Sequence, residues 1–199
     1  MKFSTIQASL VIGLASLIAG VMPMSAMSNV VNQSGWIVIK NTNQRMEISF
    51  PRPPLELKFN IPFKTSSENG ELRIYSLPVE KNEGLLVLSV LTAPTITEKA
   101  LEIKQFKKNF ISYLVKYLFN EPHLFNHHQT FKCNSNEFEG IPLLSFQFSY
   151  EDDQAKQILR GVGIVHENKL YQLFYLAPEK GYKVEILKKF VSSFKFINS

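Results

Sequence analysis

The rhythm of apolar and polar residues changes several times along this chain, and the changes divide it into elements. After the positive start Met1-Lys2, residues 6–21 form an almost unbroken apolar or small run, and Ala26-Met27-Ser28 puts small residues at the −3 and −1 positions of a cleavage site. That is the layout of a secretory signal peptide, which is removed before folding and is left out of the fold reasoning. Beyond it, Asn29–Ser34 is mostly polar and reads as a loose segment. Trp36-Ile37-Val38-Ile39 is a short strand candidate. Met46-Glu47-Ile48-Ser49-Phe50 alternates like a strand with one buried face, and Pro51, Pro53 and Pro54 stop it because proline removes ladder donors. Leu55–Phe63 is ambiguous, and Ser66–Gly70 reads as a loop.

Leu72–Val79 and Leu85–Thr92 flank the polar, glycine-bearing stretch Glu80–Gly84, which is a hairpin signal. Leu85–Leu91 is apolar on both faces, as suits a strand in the middle of a sheet covered on both sides. Pro94–Glu98 opens a helix, with Thr95 and Glu98 at capping-box spacing. Its buried stripe is Ile103, Phe106, Phe110, Leu114 and Leu118, widened by Ile111 and Val115. Lys99, Lys104, Lys107, Lys108 and Lys116 supply most of its polar face. The plain reading is a solvated lysine face; the sharper one is a surface for phospholipid or another polyanion. Glu121–Gln129 is read as a loop, and from Gly140 the chain turns back to strands.

Leu144, Phe146, Phe148 and Tyr150 alternate with Ser145, Gln147 and Ser149, and Asp152-Asp153-Gln154 turns the chain into Ile158–His166. Glu167-Asn168 is a tight turn into Leu170–Ala177, since Asn tolerates the left-handed backbone that such turns need. Pro178 is expected to start a last helix with the stripe Val184, Leu187, Phe190, Val191 and Phe194, followed by a brief strand at Lys195–Ile197.

Several of these segments together resemble a known family. The run Ile158–Val165, the turn, Lys169–Pro178, and a helix closing on Lys189–Lys195 resemble the end of the PsbP-like family, where a strand that begins with a turn, Lys and Tyr feeds a helix ending in a Ser-Phe signature. Glu47-Ile48-Ser49-Phe50-Pro51 resembles that family's opening strand, so the likeness spans residues 36–197 in order of elements. It implies an α+β fold: a central antiparallel β-sheet covered by helices on both faces, a PsbP-like α/β/α sandwich in a single domain. It also implies a non-enzymatic accessory or assembly role on the outer side of a membrane. Tyr171 and Ser193-Phe194 are structural marks of the likeness, not catalytic ones.

Size agrees. Removing 28 of 199 residues leaves 171, so residues 29–199 form one domain. Sixteen Phe and seven Tyr supply ample core. The formal charge of +5 falls to +4 without Lys2, a mild excess. The single cysteine, Cys133, cannot form an internal disulfide and is read as a small buried hydrophobe. No Cys follows the signal's apolar run, which excludes a bacterial lipoprotein anchor, and no later run is long enough to cross a bilayer. Whether the signal is cleaved or kept as an anchor is left open.

The search for chemistry assigns no catalytic, cofactor-binding or metal-binding residue. His123, His127, His128 and His166 are the four histidines; the His127-His128 pair matches no structural zinc spacing and is read as a solvated loop pair, with metal binding left to test. Asp152-Asp153 has a turn-forming role, Ser193 lies in no Gly-x-Ser-x-Gly elbow, and Gly161-Val162-Gly163 falls inside a strand. Asn32-Gln33-Ser34 is a glycosylation triplet of the kind that arises by chance. The reading is an exported, periplasmic or secreted, non-catalytic accessory or interaction protein with no cofactor. The alternatives are a small-ligand or lipid carrier, or an enzyme with an unmarked site. Its expected partner is another protein, with no nucleic acid and with peripheral membrane contact open. The surfaces left for contact are the lysine face and the loops at Pro51–Pro54 and His123–His128. N-terminal sequencing of exported protein should start at Asn29; an intact Met1 would overturn the signal assignment.

Overall fold

The computed structural model describes residues 28–31, 35–62, 69–79, 84–113, 130–138, 140–151 and 155–197. Among them the strands are β1 (Ser28–Val31), β2 (Ile37–Asn41), β3 (Met46–Phe50), β4 (Leu55–Pro62), β5 (Asn69–Val79), β6 (Gly84–Thr92), β7 (Thr130–Phe138), β8 (Ile141–Glu151), β9 (Lys156–His166), β10 (Lys169–Pro178) and β11 (Lys195–Phe196). The helices are α1 (Ile103–Tyr113) and α2 (Val184–Ser192). Seven strands form one antiparallel sheet in the order β4-β5-β6-β10-β9-β8-β7, and four form a smaller one in the order β1-β2-β3-β11.

The order follows from the side chains. Every residue of β6 from Gly84 to Val90 and of β10 from Leu170 to Ala177 is buried, so neither strand has a face that water could hold. They pair with each other in the middle of the sheet, Val87 opposite Phe174 and Leu88 opposite Leu173. The polar side chains Ser89 and Gln172 stand opposite each other there, and the serine hydroxyl donates to the amide oxygen at 2.8 Å, so each satisfies the other. The β9–β10 turn has positive φ at both Glu167 (47°) and Asn168 (60°), the mirror-image turn whose twist suits a two-residue hairpin.

Two clusters form around the central strands. One holds Leu85, Val87, Phe146 and Phe174 with Phe106 and Phe110 of α1. The other holds Leu86, Leu88, Tyr171 and Tyr175 with Ile39, Ile48 and Phe50 of the small sheet, with Phe190 of α2, and with Phe194 just beyond it. Gly163 in β9 is needed for the first cluster: a Cβ there would stand 2.7 Å from Phe106 Cε2.

Several sequence expectations are corrected. Residues 29–31 are not loose; they belong to β1, where Val30 lies opposite Val38, because two β-branched residues suit a ladder. The capping box at Thr95 and Glu98 does not form. A 3-10 turn runs over Glu98–Leu101, with Thr97 at its cap making no side-chain bond, and α1 begins at Ile103. The reason is packing: Ile96 and Leu101 are both buried, and in one continuous helix residues five apart would point about 140° from each other. Ile103, expected in the buried stripe, is 48% exposed, while Phe106 and Phe110 are buried as expected. Pro178 ends β10 instead of opening the helix; a 3-10 turn at Glu179–Gly181 intervenes and α2 starts at Val184. The ambiguous Leu55–Phe63 contains β4, and Thr130–Phe138, which carries no clear signal in the sequence, is β7.

Residues 1–27, the sequon at 32–34, the turns at 80–83 and 152–154, and the segment 114–129 with Leu114, Val115, Lys116, Leu118, His123, His127 and His128 lie outside the described residues, as does the side chain of Ile111.

Phe190 is fully buried and meets Phe50 edge-on with ring centroids 5.0 Å apart. Phe190→Ala should therefore cost about 3–5 kcal/mol in urea unfolding, the range for truncating a core phenylalanine. A loss below about 0.5 kcal/mol, the size of a surface change, would place the ring outside the core.

Candidate functional site

The seam between the two sheets carries the densest polar bonding. The turn between β2 and β3 brings Gln44, only 4% exposed, down onto the large sheet. Its backbone N–H donates to Asn41 Oδ1 (3.0 Å), its Nε2 donates to Glu71 Oε1 (3.0 Å), and its Oε1 accepts from Thr92 Oγ1 (3.2 Å). Its carbonyl accepts from the Tyr171 hydroxyl at 2.8 Å. Asn41 Nδ2 in turn donates to the Tyr75 hydroxyl at 2.9 Å. Burial pushes both phenols well above their ordinary range, so they stay protonated. Around this turn Arg73 pairs with Glu71 and with Glu56, and Lys58 Nζ lies 2.6 Å from Glu71 Oε2. Burial raises the Glu71 carboxyl, but the bonds and charges of Arg73 and Lys58 outweigh it and hold the group below its usual range. Every polar atom named here is engaged within the fold, so this seam is a fastener.

The open polar surface lies elsewhere, on β7, β8 and β9. Lys132, Gln147 and Arg160 stand side by side in register, and Asn134, Ser145 and Val162 form the next row. Thr130, Lys132, Asn134 and Asn136 are exposed, and Ser145, Gln147 and Arg160 are half-buried. Arg160 Nε donates to Gln147 Oε1 (2.8 Å), Asn136 Nδ2 donates to Ser145 Oγ (3.0 Å), and the Thr130 and Ser149 hydroxyls lie 2.6 Å apart. The Arg160 guanidinium sits 5.1 Å above the Tyr182 ring, which leans on Tyr175. The result is a patch of amides, hydroxyls and two cations on neighbouring strands, interrupted by Val162, that can hydrogen-bond a partner surface.

The surfaces expected from the sequence fare unequally. Lys99, Lys104, Lys107 and Lys108 are exposed, so the described part of the lysine face exists. Lys107 reaches back over the Phe131 ring, 5.8 Å from its centre. Among the proline loop residues, Arg52 is exposed and donates to the Pro78 carbonyl at 2.7 Å. His166 packs its ring on Phe196 at 4.4 Å and belongs to the fold. Cys133 is half-buried; burial pushes its thiol up, with a smaller opposing pull from Lys107. Among the described residues no three His, Cys, Asp or Glu side chains gather as a metal site would need, and no helix is long and apolar enough to cross a membrane. Sequence reasoning missed the β7 rows. The one available signal was the alternation Phe131, Cys133 against Lys132, Asn134, which the Asn-Ser-Asn composition masks.

No protein-family model matches the chain, and no curated protein matches it. One solved structure shows its fold, which is PsbP-like: an antiparallel β-sheet with helices. The solution structure of cyanobacterial PsbP (CyanoP) from Synechocystis sp. PCC 6803 is similar to it with a TM-score of 0.54 at 10% identity, over 90% of this chain and 99% of that one. LpqN of Mycobacterium tuberculosis, a protein involved in cell envelope biogenesis, is similar over 74% of this chain and 87% of its own, with 13% identity and a TM-score of 0.35. PA94 from Pseudomonas aeruginosa, a protein of unknown function, is similar over 78% and 85%, with 8% identity and a TM-score of 0.31. Of the three, only the first is close enough in TM-score to establish a shared fold.

The Glu71 cluster makes stability depend on pH with a definite sign. A carboxyl held below its usual range contributes stability that is present above its unfolded value and lost as pH falls through the folded one. Glu71→Gln should cost on the order of 1 kcal/mol at neutral pH, a charged hydrogen-bond loss discounted for partial exposure. The difference from the parent in urea melts should hold down to the ordinary glutamate range and shrink below it; a difference that stays constant well below that range, or shrinks above it, would contradict the assignment.

Proposed function

We propose that the chain is an exported, non-catalytic accessory protein that works by presenting sheet surface to another protein. In this reading residues 1–28 are a cleaved signal, residues 29–199 are one PsbP-like α/β/α domain, and the protein acts in the periplasm or outside the cell. The layered form is supported by the way Phe106 and Phe110 join Leu85 and Val87, while Phe190 joins Leu86 and Leu88 from the alternate positions of β6.

The observation that carries the reading is the polar patch in which Lys132, Gln147 and Arg160 stand side by side on neighbouring strands, with exposed Asn134 and Asn136 further along β7. A contact role is placed ahead of a small-ligand or lipid carrier because aromatic rings occupy the space between α1 and the sheet. Phe110 lies 4.6 Å from Phe146 and 5.7 Å from Phe174, centre to centre.

A photo-crosslinking residue at Asn134, compared with one at the exposed Asn60 of β4, tests this in intact cells. A discrete protein adduct in the exported fraction is expected from position 134 and not from position 60. Equal labelling from both positions, or none from 134, would count against it.

A further inference from the structure

Strand β7 closes one end of the seven-stranded sheet. Its nine residues pair with β8 from Thr130↔Ser149 to Phe138↔Ile141, and among the described residues no strand pairs its outer side. In an antiparallel ladder alternate residues direct N–H and C=O groups away from the neighbour, so an uncovered end strand offers a row of donors and acceptors. The opposite end, β4, is guarded: Pro53 and Pro54 precede it, Pro62 ends it, and Leu55, Glu56, Phe59 and Ile61 are half-buried with Leu57 buried. Strand β7 contains no proline, and between 130 and 137 every residue except Phe131 and Cys133 is exposed.

The two sides of this edge differ in chemistry. Toward α1, Phe131 and Cys133 are half-buried against the aromatic cluster, with Phe131 and Phe146 stacked 6.4 Å apart, and the same side continues as exposed Ser135 and Glu137. Lys107 of α1 sits over Phe131, and one helical turn earlier Ile103 is 48% exposed, the exposed large hydrophobic among the described residues. On the other side stand Lys132, Asn134 and Asn136. A strand laid along β7 would extend the apolar residues Phe131 and Cys133 on one side and meet the cation Lys132 on the other.

We propose that β7 is a docking edge that takes an extended segment of a partner protein as an eighth strand, the segment alternating apolar and acidic residues. This rests on the contact role argued above and names the kind of partner. Apolar side chains of the segment extend Phe131 and Cys133, acidic ones face Lys132, and the backbone ladder supplies the common affinity. Charge argues against a second copy of this chain as the occupant, since it would bring its own Lys107 and Lys132 to the same edge. A lipid surface would engage Ile103 and the lysines but leave the β7 ladder unpaired.

The test uses a capped nine-residue peptide of alternating valine and glutamate, titrated into the purified, isotopically labelled protein. Saturable shifts centred on 130–138 and slowed hydrogen exchange at alternate β7 amides are expected. Lys132→Glu should weaken binding about fivefold, as reversal of a cross-strand charge pair implies, and a valine–lysine peptide should restore it. Peptides N-methylated at alternate residues need no change in the protein: one methylation phase should abolish binding and the other leave it. Binding without β7 protection, or equal binding by both methylated phases, would overturn the proposal. So would phosphatidylglycerol vesicles bound where the peptide is not, or self-association that already protects β7. If position 134 crosslinks a partner in cells while the peptide leaves β7 unprotected, the contact role stands and edge addition falls; if neither occurs, both fall.

Discussion

The pairing of β6 with β10 is the contact on which the rest of the structure depends. Both strands are buried on both faces, so the pair is stable only when each face is covered. Phe106 and Phe110 meet one set of alternate side chains, and the small sheet with Phe190 and Phe194 meets the other. Each of these covering elements is itself one-sided, which leaves their polar positions outward. Burying rings such as Phe110 and Phe174 removes large apolar areas from water, and that is the main favourable term in a chain with no internal disulfide.

Hydrophobic covering alone would let the small sheet slide. The turn carrying Gln44 removes that freedom, because its three hydrogen bonds to Glu71, Thr92 and Tyr171 of the large sheet can all be made in one placement. Arg45 adopts a positive φ of 51° at this turn and pairs with Glu167 at the tip of the β9–β10 hairpin, so two turns are tied together. The same logic applies in the sheet centre, where Ser89 and Gln172 would each be costly to bury without the other. Polar groups here specify the arrangement that apolar burial drives.

That economy explains where function can lie. Most large apolar side chains near α1 and α2 are spent on the two clusters, and Ile103 stands out as an exception. The strands at the centre have no free face. Among the described residues, exposed polar surface remains at the β7 end, where Lys132, Asn134 and Asn136 are exposed and the strand has a neighbour on one side. The PsbP-like fold supplies a rigid sheet behind that edge without by itself naming a partner.

Much of this was legible locally. The both-sided apolar run of β6, the alternation Leu144, Phe146, Phe148 and Tyr150 in β8, the Glu167-Asn168 turn and the buried Phe190 follow from side-chain period and turn chemistry within a few residues. What was not legible depends on distant neighbours. Strand β7 is rich in Asn and Ser and becomes a strand because β8 lies beside it. Helix α1 begins late because Ile96 and Leu101 must both reach the core, and residues 28–31 pair because β2 offers them a ladder. Ile103 shares the spacing of Phe106 and Phe110, yet only its place relative to the sheet leaves it in water. The sequence by itself determined which segments have an apolar face. The tertiary structure decided which of those faces found a cover, because burial depends on what another part of the chain brings to the same place.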